Sequence, residues 1–264
     1  MAAAEVPSRR VGLARALSKL GYCSRSQGFE LIRKGRVRLN GNVARNPEAP
    51  VHLERDRIEV DHISVPGAEK IYLMMNKPRG LITTAADDKG RETVFSLLPR
   101  DLPWVASIGR LDKASEGLLL FSNDSEWGAR ILAPGSYVEK TYHVQIRSQA
   151  DAGLLNRLTR GVIESGDLLA AKQVSLVRAG KTNSWIEIVL DEGKNRHIRR
   201  MLKAVGIEVL RLVRVAVGNL KLGDLPKGSV RPLTPEEKRS LDRQLPAASK
   251  RASGKADGPE HVRT

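Results

Sequence analysis

The chain has 264 residues, and its 45 Lys and Arg against 30 Asp and Glu give a formal net charge of +15. A chain of this length can form one large domain or two smaller ones, each with an apolar core. The positive charge favours a polyanionic partner such as a nucleic acid, because each phosphate that Lys or Arg neutralises releases condensed counterions.

Composition also excludes several classes of protein. No apolar run approaches the roughly 18 residues that span a bilayer, and no secretory signal is recognisable, so we expect no membrane partner. The single cysteine, Cys23, excludes an internal disulfide, and the five histidines show no spacing typical of a zinc site. We therefore expect no metal, and we expect the protein to work in the reducing cytoplasm.

Two short helices are predicted near the start of the chain. Three leucines recur at helical spacing and predict an amphipathic helix over residues 11–20. A second helix is predicted to begin at Ser24, whose hydroxyl can cap the first turn while Gln27 completes a capping box. The apolar side of this second helix would contain Phe29 and Ile32.

Short strands and a basic surface follow the helices. Residues 36–39 and 57–61 alternate like strands, and the dipeptide Asn40-Gly41 favours a tight hairpin turn because both positions tolerate positive φ. Basic side chains fall on the polar sides of these elements: Arg25, Arg33, Lys34, Arg36 and Arg38. Each alone could be a solvated charge, but their clustering in one small fold predicts a surface that follows RNA phosphates.

The order of helix, helix, hairpin and strand resembles the alpha-L RNA-binding domain of the S-four ribosomal-protein type. The resemblance implies an RNA-binding domain over residues 9–66. His62 is a departure, because the family usually has glycine after Val-Asp, and it leaves the geometry of that turn open.

A second folded unit is predicted over residues 70–240, after the linker at residues 66–68. Its predicted strands cover residues 71–75, 104–108, 117–122, 141–146 and 184–190, and its predicted helices cover residues 127–132, 150–159 and 196–205. Several strands alternate polar and apolar residues as antiparallel strands do, so we expect a mixed α+β fold and not a doubly wound one. Residues 1–8 are predicted to be a flexible start, and residues 245–264 a disordered tail with few apolar side chains.

The segment Gly109–Asp124 sets one carboxylate among basic and glycine residues just before an apolar run. Leu118–Phe121 has the length and flanks of a buried strand, which places Asp112 on the loop entering that strand. Loops held by a rigid scaffold are where reactive groups concentrate. An isolated aspartate in such a place is more often a solvated turn residue, paired here with Arg110 or Lys113.

Four ordered motifs decide between these interpretations. The string from residue 109 to 124 closely resembles the central motif of the RsuA and RluB type of ribosomal RNA pseudouridine synthases. Three further segments match this family in the expected order, namely residues 76–80 (NKPRG), 139–142 (EKTY) and 192–202 (EGKNRHIRRML). The resemblance spans residues 10 to 235, approximately, and implies a curved, mostly antiparallel sheet with a central cleft.

The resemblance also implies a chemistry. Pseudouridine formation breaks the bond between uracil and ribose, rotates the base and rejoins it through carbon, so no cofactor is needed. By resemblance Asp112 is the reacting carboxylate, and whether it adds to the sugar, adds to the base or mainly removes a sugar proton is left open. A carboxylate in a dry cleft needs a cationic partner to stay charged.

Arg199 is the predicted partner of Asp112. On the predicted helix it lies about 110° from the centre of the apolar stripe, which lets it reach a cleft at the edge of the packed face. Arg200 lies about 150° away and is predicted to point toward solvent or RNA phosphate. The family has its active-site arginine at the place of Arg199. Arg196 and Arg200 are predicted to bind RNA, although a basic helix face can also be merely solvated.

Tyr142 shares one face of its strand with Val144 and Ile146, which alone would indicate a half-buried core tyrosine. The resemblance implies that Tyr142 instead packs against the target uracil once that base is flipped out. The other residues predicted to bind substrate are Arg110 beside Asp112, Leu212 as a pocket-lining leucine, and Lys77 and Arg79 in an RNA-contacting loop. For Leu212 a plain core position is an equally good interpretation.

The sequence thus predicts a monomeric, cofactor-independent enzyme that isomerises a specific uridine in ribosomal RNA, either naked or in a partly assembled subunit. Within this family, residues 183–185 and 105–109 resemble the large-subunit enzymes of the RluB type more than the small-subunit enzymes, which implies large-subunit RNA as the substrate. The alternative is a non-catalytic RNA-binding factor for ribosome assembly, and the joint presence of Asp112, Tyr142 and Arg199 argues against it. A methyltransferase is a third possibility, but no glycine-rich loop of the kind that holds its cofactor follows a strand.

Overall fold

The computed structural model describes residues 10–85, 87–133, 135–136 and 138–245. The predicted flexible start over residues 1–8 lies outside these residues, as does the predicted tail apart from Leu245. Within the described part of the chain, no helix is long and apolar enough to cross a membrane.

The N-terminal unit consists of two helices packed on small sheets. Its elements in chain order are β1 (Val11–Gly12), α1 (Leu13–Lys19), α2 (Arg25–Arg33), β2 (Val37–Leu39), β3 (Asn42–Val43), β4 (Pro50–Val51), β5 (Ile58–Val60) and β6 (Ile63–Ser64). Four strands form an antiparallel sheet in the order β3-β2-β5-β6, and β1 pairs with β4. One apolar core joins both helices to the strands, and Leu13, Leu17 and Ile32 are fully buried in it.

Local sequence rules account for the two main boundaries of this unit. The Ser24 hydroxyl accepts a hydrogen bond from the Gln27 backbone at 3.1 Å, and the Gln27 side chain accepts one from the Ser24 backbone at 3.0 Å. Asn40 and Gly41 have φ angles of 52° and 83°, as the tight hairpin turn requires. The predicted capping box and the predicted turn are both present.

Two further features of the N-terminal unit concern expectations from the sequence: one was wrong, and the other had been left open. Phe29 was expected on the apolar side of α2 but is 36% exposed, with the Arg33 guanidinium 5.2 Å from its ring centre. Ile32 is fully buried and the partly buried Leu31 packs against the same core, so the apolar side of α2 does not include Phe29 as predicted. Asp61 and His62 have φ angles of 49° and 67°, so His62 adopts the left-handed conformation that glycine favours at this turn.

The second unit is built on one large sheet. Its elements are β7 (Tyr72–Lys77), a 3-10 helix (Val94–Leu97), β8 (Ala106–Ile108), β9 (Glu116–Ser122), α3 (Ser125–Leu132), β10 (Lys140–Ile146), α4 (Ala152–Arg160), β11 (Val162–Glu164), β12 (Asp167–Leu169), β13 (Gln173–Ala179), β14 (Ser184–Leu190), α5 (His197–Ala204), β15 (Val209–Val217), β16 (Leu220–Lys221), β17 (Val230–Pro232) and α6 (Pro235–Asp242). The sequence predicted five of these strands and three of the helices, but not β11–β13, β15–β17 or α6.

The large sheet has two halves that meet at β9 and β15. Its strand order is β13-β14-β10-β15-β9-β7-β17, with β16 paired to β15 and β8 paired to β9. The strand pairs of this sheet are antiparallel except β9–β15, which is parallel. The predicted mixed, mostly antiparallel sheet is therefore confirmed.

Separate apolar cores support the two halves. The β10, β14 and β15 side packs on α4 and α5 through residues such as Val144, Ile186 and Met201. On the other side, β9 is buried along its whole length, with Leu118 and Leu120 facing the core that contains α3 and α6. Residues 119 and 121 face a further core on the opposite face of the sheet. This burial on both faces explains why β9 reads as a continuous apolar run.

Gly117 lets the two halves of the sheet approach each other closely. It pairs with Arg214 of β15 and has a φ of 102°, which L side chains rarely adopt. A Cβ atom at this position would lie 2.2 Å from the Arg214 carbonyl oxygen. The junction beside the Asp112 loop therefore requires glycine.

The N-terminal unit is attached at the far end of β9. The Asn123 side chain accepts a hydrogen bond from the Ile71 backbone at 2.9 Å and donates one to the Glu69 carbonyl at 2.8 Å. Lys19 of α1 forms an ion pair with Glu126 of α3. Because β9 has seven residues, this junction lies roughly 23 Å from the end of β9 that follows the Asp112 loop.

Candidate active site

A cleft of about 200 Å³ opens where the two halves of the large sheet meet, beside the start of α5. Six residues predicted to act on or bind substrate line it: Arg110, Asp112, Tyr142, Arg196, Arg199 and Leu212. They come from the loop before β9, from β10, from β15 and from the start of α5. Residues far apart in the sequence thus converge at one place.

Lys77 holds the loop that carries Asp112. It is fully buried, and its Nζ donates hydrogen bonds to the carbonyl oxygens of Asp112 at 3.1 Å, Ser115 at 2.9 Å and Pro78 at 3.1 Å. Burial lowers the pKa of Lys77 to about 8, and the negative charges of Asp112 and Glu116 oppose that shift.

The prediction that Lys77 contacts RNA is therefore wrong. Lys77 ends β7 with its side chain directed into the interior, where three carbonyl oxygens satisfy its three donors. Arg79, two residues later, is exposed, and its charge lowers the pKa of Arg199. Only Arg79 of this pair can reach a substrate.

Further hydrogen bonds fix the Asp112 loop from the same side. The Gly80 backbone donates to the Lys113 carbonyl at 2.8 Å, and the Thr83 hydroxyl donates to the Leu111 carbonyl at 2.8 Å. Thr83 was not singled out in the sequence, because nothing local distinguishes it from a loop threonine. Together these contacts hold the carboxylate in one place before substrate arrives.

Arg196, and not Arg199, is the direct charge partner of Asp112. Arg196 Nη1 lies 3.2 Å from Asp112 Oδ2, whereas Arg199 Nη2 donates to the Ala114 carbonyl at 3.1 Å. The prediction failed because α5 begins at His197 and Arg196 precedes it in the left-handed conformation, with a φ of 48°. The side chain of Arg196 therefore leaves the helical path that the wheel argument assumed.

Arg199 nevertheless lies in the wall of the cleft, close enough for its charge to interact with that of Asp112. Burial and the neighbouring charge of Arg196 lower the pKa of Arg199, while Asp112 raises it. Arg199 also ties α5 to the Asp112 loop through Ala114. It remains a candidate for holding the reacting carboxylate in its ionised form.

Arg200 does not point into solvent as predicted. It forms ion pairs with Glu164 and Asp167, each at 2.7 Å, and its side chain is 24% exposed. Both acids belong to the β11–β12 hairpin, which the sequence did not predict and which covers this face of α5. Because its charge is already neutralised within the protein, Arg200 is a poor candidate for binding RNA phosphate.

Tyr142 and Leu212 form the apolar wall of the cleft. Tyr142 is half-buried, and the next residues on its face, Val144 and Ile146, are fully buried. Leu212 is 6% exposed, belongs to the same core and also lines the cleft. The pocket and core interpretations of Leu212 are therefore both correct.

Lys140, His197 and Arg214 also line the cleft but were not predicted. Lys140 lies two residues before Tyr142 in the EKTY motif, so strand alternation already indicated a shared face. Arg214 could not be found, because β15 was not recognised as a strand. Burial lowers the pKa of His197, and its Nδ1 lies 3.5 Å from Glu192 Oε1.

The basic residues of the N-terminal unit differ among themselves. Arg25, Arg33 and Lys34 are exposed, whereas Arg36 forms an ion pair with Asp61, and Arg38 donates to the Gly41 carbonyl at 3.1 Å.

Over the described ranges, no cluster of three His, Cys, Asp or Glu side chains could hold a metal ion.

A basic cleft that contains the carboxylate of Asp112, on a mixed sheet joined to a small basic unit, is typical of a protein that modifies RNA. Residues 71–204 match the family described as RNA pseudouridylate synthase, and residues 11–58 match the S4 domain. The chain therefore belongs to the RNA pseudouridylate synthase family, as its four motifs predicted.

Individual relatives agree with this assignment. The chain is 36% identical over 231 residues to ribosomal large subunit pseudouridine synthase B of Bacillus subtilis, covering 87% of this chain and 94% of that protein. It is 37% identical to the protein of the same name from Haemophilus influenzae, covering 82% of this chain and 62% of that protein. A crystal structure of a pseudouridylate synthase is similar with a TM-score of 0.62 and 27% identity, covering 88% of this chain and 99% of that one.

Proposed function

We propose that this protein isomerises a specific uridine of large-subunit ribosomal RNA to pseudouridine, with Asp112 as the reacting group. The observation that carries the proposal is the position of Asp112, which is held in the cleft by the buried Lys77 and paired with Arg196 at 3.2 Å. Two relatives named large-subunit synthases support the choice of RNA.

In this proposal the cleft binds one nucleotide that has left its helix. Tyr142 packs against the uracil ring, and Leu212 closes the apolar wall. Arg196 and Arg199 keep Asp112 charged, so that the carboxylate either adds to the sugar or removes a sugar proton when the base departs. Arg110 and Arg79, which are exposed beside the cleft, contact the RNA backbone.

The alpha-L RNA-binding domain, proposed over residues 9–66, holds a distant part of the same RNA. Its exposed Arg25, Arg33 and Lys34 follow phosphates and carry no sequence information. We further propose that the protein acts as a monomer in the cytoplasm, on naked RNA or on a partly assembled subunit.

Chemical mapping of pseudouridine in ribosomal RNA tests this function. Cells that lack the protein should lose one or a few pseudouridines from large-subunit RNA, and the wild-type protein should restore them. The Asp112→Asn variant should restore none, because it keeps size and hydrogen bonding but loses the charge. Asp88→Asn, which changes an exposed aspartate in another loop, serves as the matched control and should restore them all.

The same experiment decides against the alternative function. If cells without the protein keep every pseudouridine but accumulate immature ribosomal subunits, the protein is a non-catalytic assembly factor. If Asp112→Asn restores the modification, the carboxylate does not react and the proposal fails.

A further inference from the structure

A second pair of positive charges lies in the cleft, apart from the arginines around Asp112. Lys140 of β10 and Arg214 of β15 both line the cleft together with Tyr142. Tyr142 and Arg214 are opposite each other in the β10–β15 pair, and Lys140 is two residues from Tyr142 along β10. All three side chains therefore project from the same face of the sheet.

Neither of these two charges is neutralised by a carboxylate. Across the described part of the chain, no Asp or Glu lies within ion-pair distance of Lys140 or Arg214. Arg214 is 6% exposed, and its Nε donates to the Leu118 carbonyl at 2.7 Å. Burial and the charge of Arg214 lower the pKa of Lys140, and Asp191 acts in the opposite direction.

Uncompensated positive charge in a partly apolar cleft is costly, so it calls for an anion. An RNA phosphate is one candidate. However, we expect the phosphates to lie at the exposed rim of the cleft, next to the exposed Arg110 and Arg196, and not beside the base. The surroundings of Lys140 are instead the walls for a base, formed by Tyr142 and Leu212. The anion that suits this place is a base that carries negative charge.

We propose that Lys140 is a catalytic residue that stabilises the uracil as an anion when it leaves the ribose, and that Arg214 adds a second positive charge on the same face of the cleft. The inference rests on the proposed function, since it concerns the base of the target uridine. It assigns the base its own electrostatic partner, separate from Asp112, which acts on the sugar.

The electron count of the reaction places the negative charge on the base. The bond between C1′ and N1 breaks, and its electron pair leaves with the base and spreads over N1, O2 and O4. After the ring turns, C5 attacks C1′ with an electron pair to form the new bond, C5 loses its proton, and N1 gains one. No oxidant or reductant takes part, and the intermediate base carries one negative charge, which Lys140 meets as an ammonium ion.

Single-turnover kinetics at saturating RNA, with a ribosomal RNA segment that contains the target, tests this role. Lys140→Met should slow the reaction about 100-fold or more while RNA affinity changes less than about threefold. Lys140→Arg should recover most of the rate, because it keeps the charge. Lys221→Met removes an exposed lysine elsewhere on the sheet and should leave both quantities at the wild-type level.

Sulfur-substituted substrates separate a catalytic role from a structural one. Sulfur bears negative charge more readily than oxygen and accepts hydrogen bonds more weakly. Replacing the target by 2-thiouridine or 4-thiouridine should therefore shrink the rate loss of Lys140→Met for at least one of the two. The analogue that responds identifies the oxygen that Lys140 meets.

Several outcomes would overturn the inference. The first is an unchanged rate for Lys140→Met with weakened RNA binding, which would make Lys140 a phosphate contact. The second is an equal rate loss of Lys140→Met on uridine and on both thiouridines. The third is a rate of Lys140→Arg that is no higher than that of Lys140→Met. The activity of the wild-type protein distinguishes a failure of the Lys140 inference from a failure of the proposed function. If wild-type protein forms no pseudouridine in any ribosomal RNA segment, the function itself is wrong.

Discussion

The basic residues of the N-terminal unit and those of the cleft are the same residue types in opposite settings. Arg25, Arg33 and Lys34 are exposed to solvent, whereas Arg199 and Arg214 are partly or fully buried. Exposed charges are screened and act together through counterion release, so each one matters little. Buried charges act singly, because each has a fixed neighbour and a low-dielectric surrounding.

Positive charge thus has two separate uses in this molecule. Substitutions in the N-terminal unit should change how tightly and how salt-dependently RNA binds, and leave the reaction rate alone. Substitutions of the buried charges in the cleft should change the reaction rate and leave RNA affinity nearly unchanged. Measuring both RNA affinity and reaction rate for the same variant tests whether the two groups of charges really have separate roles.

The largest effect is expected at Asp112, where charge is needed for the chemistry itself. Asp112→Asn should lower the single-turnover rate by about 10,000-fold or more, with RNA affinity within about threefold of wild type. A quench-flow assay and a filter-binding titration on the same RNA measure the two quantities. Residual turnover within tenfold of wild type would remove Asp112 from the mechanism.

Arg196, just before α5, and Arg200 within it should behave differently. Arg196→Leu should slow the reaction about 100-fold, because it removes the charged contact at 3.2 Å from Asp112. Arg200→Leu should leave the rate within about threefold and instead lower the melting temperature slightly, since Glu164 and Asp167 lose their partner. Thermal melts and rate measurements on both variants distinguish them. A larger rate loss for Arg200→Leu than for Arg196→Leu would show that the β11–β12 hairpin does not neutralise the charge of Arg200.

Lys77 should affect rate and pH-dependent stability together. Lys77→Met removes the anchor of the Asp112 loop, so the rate should fall about tenfold. The pKa of Lys77 is about 8 in the folded protein and near 10.5 in the unfolded chain, so between these pH values the unfolded state binds more protons. The contribution of Lys77 to the free energy of unfolding therefore rises as pH increases from about 8 to 10.5, by about 3 kcal/mol at most.

Urea denaturation at pH 7.5, 9 and 10.5 tests this linkage. The stability of wild type minus that of Lys77→Met should increase with pH across this window. The same difference measured for the exposed Lys221→Met should stay constant. If the free energy of unfolding of wild type minus that of Lys77→Met instead falls as pH rises, Lys77 keeps its charge in the folded protein.

The smallest effect is expected for one exposed charge of the N-terminal unit. Arg25→Gln should weaken RNA binding about threefold and reduce the salt slope by about 0.7, the value for one phosphate on a single strand. Arg36→Gln should change binding less, because Arg36 is already paired with Asp61. Neither variant should change the rate at saturating RNA. Equal effects of the two, or a loss of rate, would contradict the division of roles.

Local patterns predicted much of the fold. The capping box at Ser24 and the hairpin turn at Asn40 depend on neighbouring residues only, so the sequence shows them directly. The buried run of β9 was visible for the same reason. In contrast, β15 was missed, since arginines interrupt its apolar residues, and one of them, Arg214, is held by a carbonyl of β9.

The candidate site was predicted in part: six predicted residues line the cleft, but Lys140, His197 and Arg214 were missed, and the charge pairing was not predicted. Motifs brought Asp112, Tyr142 and Arg199 to one cleft, yet the partner of Asp112 is Arg196. That choice depends on a backbone conformation at the start of α5 that no periodicity encodes. The burial of Lys77 likewise depends on three carbonyl oxygens that only the folded loops bring together.

The length of β9 also limits which RNA molecules can make use of both units. The strand separates the Asp112 loop from the attachment of the N-terminal unit by roughly 23 Å, and Asn123 fixes that attachment with two hydrogen bonds. An RNA long enough to reach both places binds them as a bivalent ligand, so the first contact raises the effective concentration of the second. A fragment shorter than this spacing gains no avidity and must rely on the cleft alone.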